Sequence, residues 1–367
     1  MRISMTPFVS AAIDTAALCH NLDAVRRRAP GASVMAVIKA NAYGHGLVTV
    51  ARALEKADAF AVARVDEGMA LRAAGITKPV VLLEGVFERD QLETAAACGF
   101  ELVVHIDEQV GLLRDAAPGM CFDVWLKLDT GMNRLGLKGP AFAAAHAALA
   151  QMPSVRQPVR LFSHFASADD KADPATALQL ARFVAATSGL TGLRSLANSA
   201  AMLNFPESQA DWVRPGLLLY GVSPLPGTVG ADFGLRPVMT LHSRIIGLKD
   251  VAAGERVGYG GAWTAERRTR LAIAAVGYGD GYPRSVPSGS PVLVDGVGAR
   301  IAGRVSMDMI GIDVTDLPRA AQLGDPVVLW GPGLPVERIA ALAGAIPYEL
   351  LCGISQRVAV SSRRNPS

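Results

Sequence analysis

The chain has 367 residues, half of them apolar and 19% charged, with a net charge of only +3. That length suits one large and one smaller domain, and so small and evenly spread a charge leaves no footprint for nucleic acid or a membrane surface. The four cysteines, Cys19, Cys98, Cys121 and Cys352, form no C-x-x-C pair and sit near no histidine at metal-ligand spacing. They are expected to be reduced, mostly buried small hydrophobes of a cytoplasmic protein that binds no metal. Asp14 interrupts the apolar stretch after Arg2, so no signal peptide is expected, and no apolar run is long enough to span a bilayer.

In chain order, short β-rich runs ending in a polar residue alternate with longer Ala- and Leu-rich helical stretches. The runs are SVMAVIK, ending at Lys39, then FAVARV (60–65), VVLLEG (80–85), ELVVHI (101–106), DVWLKLD (123–129), VRLFSH (159–164), LRSLANS (193–199) and DWVRPGLLLYG (211–221). Helical stretches are predicted at 47–57, 66–74, 88–98, 107–116, 138–151 and 174–188. Eight such units predict an α/β fold, a closed (β/α)8 TIM-type barrel. An open doubly wound sheet is less apt, because no G-x-G-x-x-G turn follows the first strand.

After about residue 235 strand-like runs follow one another through Gly turns: VMTLHSRIIGLKD, ERVGYG, TRLAIAAVGYG, PVLVDG, RIAGRVSMDMIGIDV and PVVLWG. This predicts a mostly-β C-terminal domain with one helix near its end, 336–345, and a final strand, QRVAVSS. The expected domains are therefore 1–235 and 236–367. The first ten or so residues are expected to pack on the C-terminal domain, and the polar tail 363–367 to be disordered.

A (β/α)8 barrel keeps its active site at the C-terminal ends of its strands. The polar residues expected there are Lys39, Arg64, Glu84, His105, Lys127, Asp129, His164, Asn198, Ser199 and Arg214. Alternation puts Met35, Val37 and Lys39 on one face of the first strand. Partial desolvation at a barrel mouth favours the neutral amine that attacks an aldehyde, while position alone equally suits a lysine snorkelling off a strand end.

Several segments resemble the alanine racemase family in order along the chain: VIKANAYGHG (37–46), LKLDTGMNRLG (126–136), FSHFASAD (162–169), LANSAAML (196–203), VRPGLLLYG (213–221), ERVGYGGAW (255–263), AAVGYGDGYPR (274–284), GRVSMDMIGID (303–313) and IPYELLCGISQRV (346–358). The N-terminal IDTAALCHNL is similar to the family's first helix. Single pieces such as G-Y-G are weak, but Lys39, Arg134, His164, Ser199, Arg214, Tyr259, Met307 and Tyr348, each in its own motif and in family order, make a specific joint signal. The resemblance implies pyridoxal 5'-phosphate as cofactor and interconversion of L- and D-alanine, with D-alanine serving peptidoglycan or the enzyme serving alanine breakdown.

It also implies roles. Lys39 holds the cofactor as an imine and acts as the base on the D-side; Tyr259 is the base on the L-side. Tyr43, Ser199, Gly216, Leu217 and Tyr348 meet the phosphate, with Gly216 letting the backbone approach closely. His45 and the glycines around it are turn residues. Arg134 faces the cofactor's phenolic oxygen and the substrate carboxylate, and the Met307 backbone N–H meets the same carboxylate. His164 lies beside the ring and Arg214 against the pyridine nitrogen. A guanidinium donates but cannot accept a proton, so the ring nitrogen stays unprotonated and the electron sink is weakened. Tyr278 and Arg284 line the entrance. Tyr259 and Met307 reach into a partner's barrel, which implies a homodimer with shared sites.

Lys127 alternates with Trp125 and Asp129 and is expected inside the barrel, where an ammonium needs a partner. Carbamylation, as the resemblance implies, and a plain salt bridge to Asp129 both stay open. The rival readings are a broader-specificity amino-acid racemase, a decarboxylase of the same barrel-plus-β class, a single-barrel pyridoxal-phosphate carrier and a barrel with an interaction module. Arg214 speaks against the decarboxylase, and residues 236–361 against the carrier.

Overall fold

The computed structural model describes residues 8–363. The chain opens with strand β1 (Ser10–Asp14) and helix α1 (Thr15–Arg28). Asp14 makes the switch between them. Its carboxylate accepts the N–H groups of Ala16 and Ala17, both at 2.9 Å, and so caps the helix whose first donors have no partner within it.

Eight parallel strands then close a barrel: β2 (Ser33–Val37), β3 (Ala59–Val62), β4 (Val80–Leu82), β5 (Phe100–Val104), β6 (Val124–Lys127), β7 (Arg160–Phe162), β8 (Arg194–Asn198) and β9 (Trp212–Arg214). β9 pairs back onto β2 through Ser33–Trp212 and Val34–Val213, which closes the ring. The wrapping helices are α2 (Leu47–Ala53), α3 (Val65–Ala73), α4 (Arg89–Cys98), α5 (Asp107–Arg114), α6 (Gly139–Leu149) and α7 (Ala175–Ala186), followed by the short α8 (Ser199–Asn204). The barrel strands are apolar on both faces because side chains fill the barrel and helices cover it. Met35, Phe60, Trp125 and Leu161 are all fully buried.

The C-terminal sheet is assembled from β10 (Met239–Val251), β13 (Thr269–Ala274), β14 (Pro291–Val294), β15 (Val297–Ile301), β16 (Ile310–Asp313), β17 (Pro326–Trp330) and β18 (Ala359–Arg363). Its order is β13-β16-β15-β14-β17-β10-β1-β18, with β10 also pairing β13. A separate two-strand hairpin joins β11 (Arg256–Val257) to β12 (Trp263–Thr264). Two helices, α9 (Val336–Ala343) and α10 (Pro347–Cys352), lie between β17 and β18.

The N-terminal strand belongs to this second sheet: β1 runs antiparallel to β10 and parallel to β18. It is residues 10–14 that pair there; residues 1–7, on which most of that expectation fell, lie outside the described residues, and of the tail 363–367 expected to be disordered, Arg363 ends a strand paired with Asp14 while 364–367 lie outside the described residues. The described residues thus start in the β-domain, cross to the barrel and return. Buried Asn21 of α1 pins the return: its Nδ2 donates to Leu219 O and Arg236 O, and its Oδ1 accepts from Arg236 N at 2.8 Å. Glu337 of α9 does the same from the other side, accepting from Ser223 N and Gly230 N.

Three expectations need correction. The run ending in Lys39 is strand only as far as Val37, because the backbone from Ala40 to Tyr43 turns left-handed. DWVRPGLLLYG is strand only at Trp212–Arg214, since the Pro215–Gly216 step ends the ladder and a 3-10 turn, Leu217–Tyr220, follows. The cysteines are free, but Cys19, Cys121 and Cys352 are exposed and Cys98 is half-buried. Among the described residues no helix is long and apolar enough to cross a membrane.

Candidate active site

At the C-terminal end of the barrel lies a cavity of about 600 Å³. Its wall gathers Lys39, Tyr43, Lys127, Arg134, His164, Ser199, Arg214, Gly216 and Tyr348 from positions scattered over more than 300 residues of chain. Glu84 is the single carboxylate residue of that lining. Four cations facing one carboxylate in a confined, poorly solvated space form a site for an anionic ligand.

Lys39 reaches the wall from the turn after β2. Ala40, Asn41, Ala42 and Tyr43 all have φ between 52° and 54°, a conformation that costs L-residues roughly 1–2 kcal/mol each. Specific bonds hold it. Glu67 accepts Ala40 N at 2.6 Å and Ala63 N at 2.7 Å, tying the turn to the end of β3. Asn41 Oδ1 accepts Leu47 N at 2.8 Å. His45 Nδ1 donates to Ala42 O and Tyr43 O, which makes it the turn residue expected. Gly44 must lack a side chain, since a Cβ there would lie 2.1 Å from Leu351 O of α10.

That close approach brings Tyr348 of α10 against Tyr43, with ring centroids 5.7 Å apart. Burial pushes the Tyr43 phenol well above its ordinary range and that of Tyr348 up to about 12, so both are hydroxyl donors. Ser199 opens α8, which Asn198 caps by accepting Ala201 N. The Ser199 Oγ accepts the Gly216 N–H at 2.8 Å. A Cβ on Gly216 would lie 2.7 Å from the Tyr43 hydroxyl, so a side chain there would displace the tyrosine from this cup of hydroxyls and backbone N–H. Such a donor set fits the acceptor oxygens of a phosphate. Leu217 is fully buried and lines a neighbouring cavity of about 660 Å³ that shares Tyr348 and His164 with this one.

Deeper in, Arg214 is fixed on all sides. Its Nη1 donates to Ser195 Oγ at 2.7 Å, and its Nη2 to Ser163 O at 2.7 Å and Leu196 O at 3.0 Å. Its guanidinium lies 3.9 Å from the centroid of Phe162. Burial lowers its affinity for a proton, yet a guanidinium so bonded stays the cation and offers donors alone. Burial, and then the neighbouring Arg214, push His164 well below the ordinary histidine range. The neutral ring accepts Arg214 Nη2 at Nδ1, 3.2 Å away.

Lys127 points inward, as alternation predicts, with its Nζ 5.7 Å from the Phe162 centroid. The alternative of a salt bridge to Asp129 is overturned. Asp129 pairs with Lys138 at 3.4 Å and accepts Gly131 N and Asn133 N, so its carboxylate is turned into its own loop. Burial, followed by Arg214 and Arg134, pushes Lys127 down to about 8.

Not every expected residue arrives. Arg64, His105 and Asp129 do not line the cavity; His105 is buried against Glu84 O. Tyr259, 70% exposed, and Met307, 52% exposed, stand on the β-domain outside this chain's own cavity. Tyr278 stands beside the Met307 loop, its N–H bonded to Ser306 O, and Arg284 is exposed six residues further on. Sequence reasoning missed Phe162, Ile346 and Cys352 as lining residues. Phe162 was open to discovery, since it alternates with His164; nothing in local pattern marks the other two.

The mouth of a closed barrel thus combines a lysine, a hydroxyl-lined cup and an arginine-anchored histidine. Residues 13–224 match the model of the alanine racemase N-terminal domain, and residues 238–362 that of the alanine racemase C-terminal domain. The chain is 52% identical to the biosynthetic alanine racemase of Escherichia coli (strain K12), covering 95% of this chain and 97% of that one. It superposes on the biosynthetic alanine racemase of Pseudomonas aeruginosa with a TM-score of 0.93 at 45% identity, over 98% of this chain and 100% of that one. For the alanine racemase of Acinetobacter baumannii the values are 0.92 and 38%, over 98% and 100%. The chain belongs to the alanine racemase family, whose members depend on pyridoxal 5'-phosphate.

Proposed function

We propose that this protein interconverts L- and D-alanine by a two-base mechanism with Lys39 and Tyr259, as a cytoplasmic homodimer whose sites are shared between subunits. The observation that carries the reading is the single cavity in which Lys39, the Tyr43–Ser199–Gly216–Tyr348 cup and the Arg214–His164 pair converge. Bound there, pyridoxal phosphate supplies an electron sink for the charge left at Cα when its proton departs. The chain's residues do the rest. Lys39 carries the cofactor covalently and moves a proton on one face through its Nζ. Arg134 and the Met307 N–H hold the substrate carboxylate. Arg214, a donor only, would face the cofactor's ring nitrogen without supplying it a proton, which would weaken the sink and disfavour transamination.

Inversion needs a second proton carrier on the opposite face, and Tyr259, the base that the resemblance implies, stands outside this chain's own cavity. The exposed Tyr259 and Met307 support a head-to-tail pair in which each barrel is completed by its partner. The free cysteines suit a reducing compartment.

Lys127 is proposed to be carbamylated. Its lowered proton affinity supplies the neutral amine, whose nitrogen bonds to the carbon of CO2 while a proton leaves to solvent. The product is an anion among three cations, the partner that a buried lysine lacks.

Borohydride reduction of the holoenzyme followed by peptide mapping tests the anchor: the cofactor is expected on Lys39, and a label elsewhere overturns the reading. Native mass measurement at neutral pH is expected to show the mass of one added CO2 per chain, removed by Lys127→Ala. An unmodified mass with an unmodified Lys127 tip in electron density would leave the plain amine.

A further inference from the structure

Tyr259 stands on the least constrained segment of the proposed machinery. The hairpin that presents it pairs only at Arg256–Thr264 and Val257–Trp263. Between these pairs Gly258, Gly260 and Gly261 all take positive φ, +73°, +67° and +53°. Glycines have the most conformational freedom to lose, so a turn built on three of them does not fix a side chain by itself. One backbone bond, Gly261 N to Gly258 O at 3.0 Å, closes the loop.

The side chain of Arg256 folds back over that loop. Its Nη2 donates to Gly260 O at 2.7 Å and its Nε to Gly261 O at 3.3 Å. A Cβ on Gly261 would lie 2.3 Å from Nε and 2.7 Å from Cζ, so the guanidinium lies flat against the bare backbone there. On Gly260 the nearest atom to such a Cβ is Arg304 Nη1, at 3.5 Å. The two carbonyls after Tyr259 are thus gripped by one rigid fork, which a lysine's single ammonium cannot reproduce.

We propose that Arg256 is a positioning residue for Tyr259: its guanidinium locks the glycine turn so that the phenol is delivered to one place relative to the substrate's Cα. This rests on Tyr259 being the base on the L-side. The lock touches neither cofactor nor substrate. Its loss acts on one proton transfer and leaves the Lys39 face untouched.

The test compares holoenzymes carrying Arg256→Met, Arg256→Lys and Tyr259→Phe, each measured for solvent exchange of the α-proton of L-alanine and of D-alanine separately. Removing a charge-assisted pair of bonds from the turn is expected to slow L-alanine exchange about tenfold in Arg256→Met, with Arg256→Lys between it and the native enzyme. D-alanine exchange and cofactor content stay near native. Equal loss from both enantiomers, or no loss from either, overturns the positioning role. If Tyr259→Phe itself exchanges L-alanine at the native rate, the base assignment fails and the positioning role falls with it. If Tyr259→Phe is selectively impaired and Arg256→Met is not, the base stands and the lock alone is refuted.

Discussion

Arg214 shows how much of the chemistry rests on single contacts. Three protein oxygens accept from its terminal nitrogens, His164 Nδ1 lies 3.2 Å away, and the ring of Phe162 lies against it, so its direction is set before any ligand arrives. Replacing it by a carboxylate exchanges an obligate donor for an acceptor and allows the ring nitrogen to keep a proton. Arg214→Glu is therefore expected to lower racemisation while raising transamination; the ratio of pyruvate to D-alanine formed from L-alanine measures it. An unchanged ratio would contradict the weak-sink argument. The identity of Arg214 was legible from its R-P-G motif, but its fixing was not. Ser195 and Leu196 serve it only because β8 lies beside β9, a neighbour relation that no local pattern reveals.

At the scale of elements, the left-handed turn after β2 and the helix α10 bring Tyr43 and Tyr348 together in the cup proposed for the phosphate. The barrel's strand-helix alternation was readable because apolar runs of four to six residues recur between amphipathic stretches. The turn was not, since Ala40, Asn41 and Ala42 carry no glycine to announce positive φ. α10 is too short to show a helical period. His45 closes the turn, donating from Nδ1 and leaving a buried Nε2 with no acceptor for a second proton. Burial accordingly pushes it from 6.5 down to about 4. The unfolded chain takes up this proton below pH 6.5 and the native one does not. The stability involved, about 3 kcal/mol at most, is thus fully present above pH 6.5 and lost as pH falls toward 4. His45→Gln is expected to flatten the fall of Tm across that window, with His105 and His164, displaced the same way, leaving a residual slope. Equal slopes in native and variant proteins would contradict this.

At the scale of the whole molecule, a chain that begins in one sheet, crosses to the barrel and returns cannot separate its two parts freely. β1 is the central link, between β10 and β18. Its pairing was only partly legible: the first ten or so residues were expected on the C-terminal domain, but no strand was read at 10–14, whose partners lie more than 220 residues away. The separation of Tyr259 from Lys39's own cavity has a further consequence. In a pair with shared sites, Lys39→Ala and Tyr259→Phe chains are each inactive, yet a mixed dimer holds one intact site and one doubly altered site. Co-expression with random pairing is expected to restore about a quarter of native activity. No restoration would mean that each chain completes its own site. Most directly, holoenzyme is incubated with L-alanine in deuterated buffer and the products are resolved by chirality and mass. The two-base account predicts D-alanine that carries solvent deuterium at Cα from the first turnovers. D-alanine that keeps the substrate's own Cα proton throughout would contradict it, because one group would then both remove and return that proton.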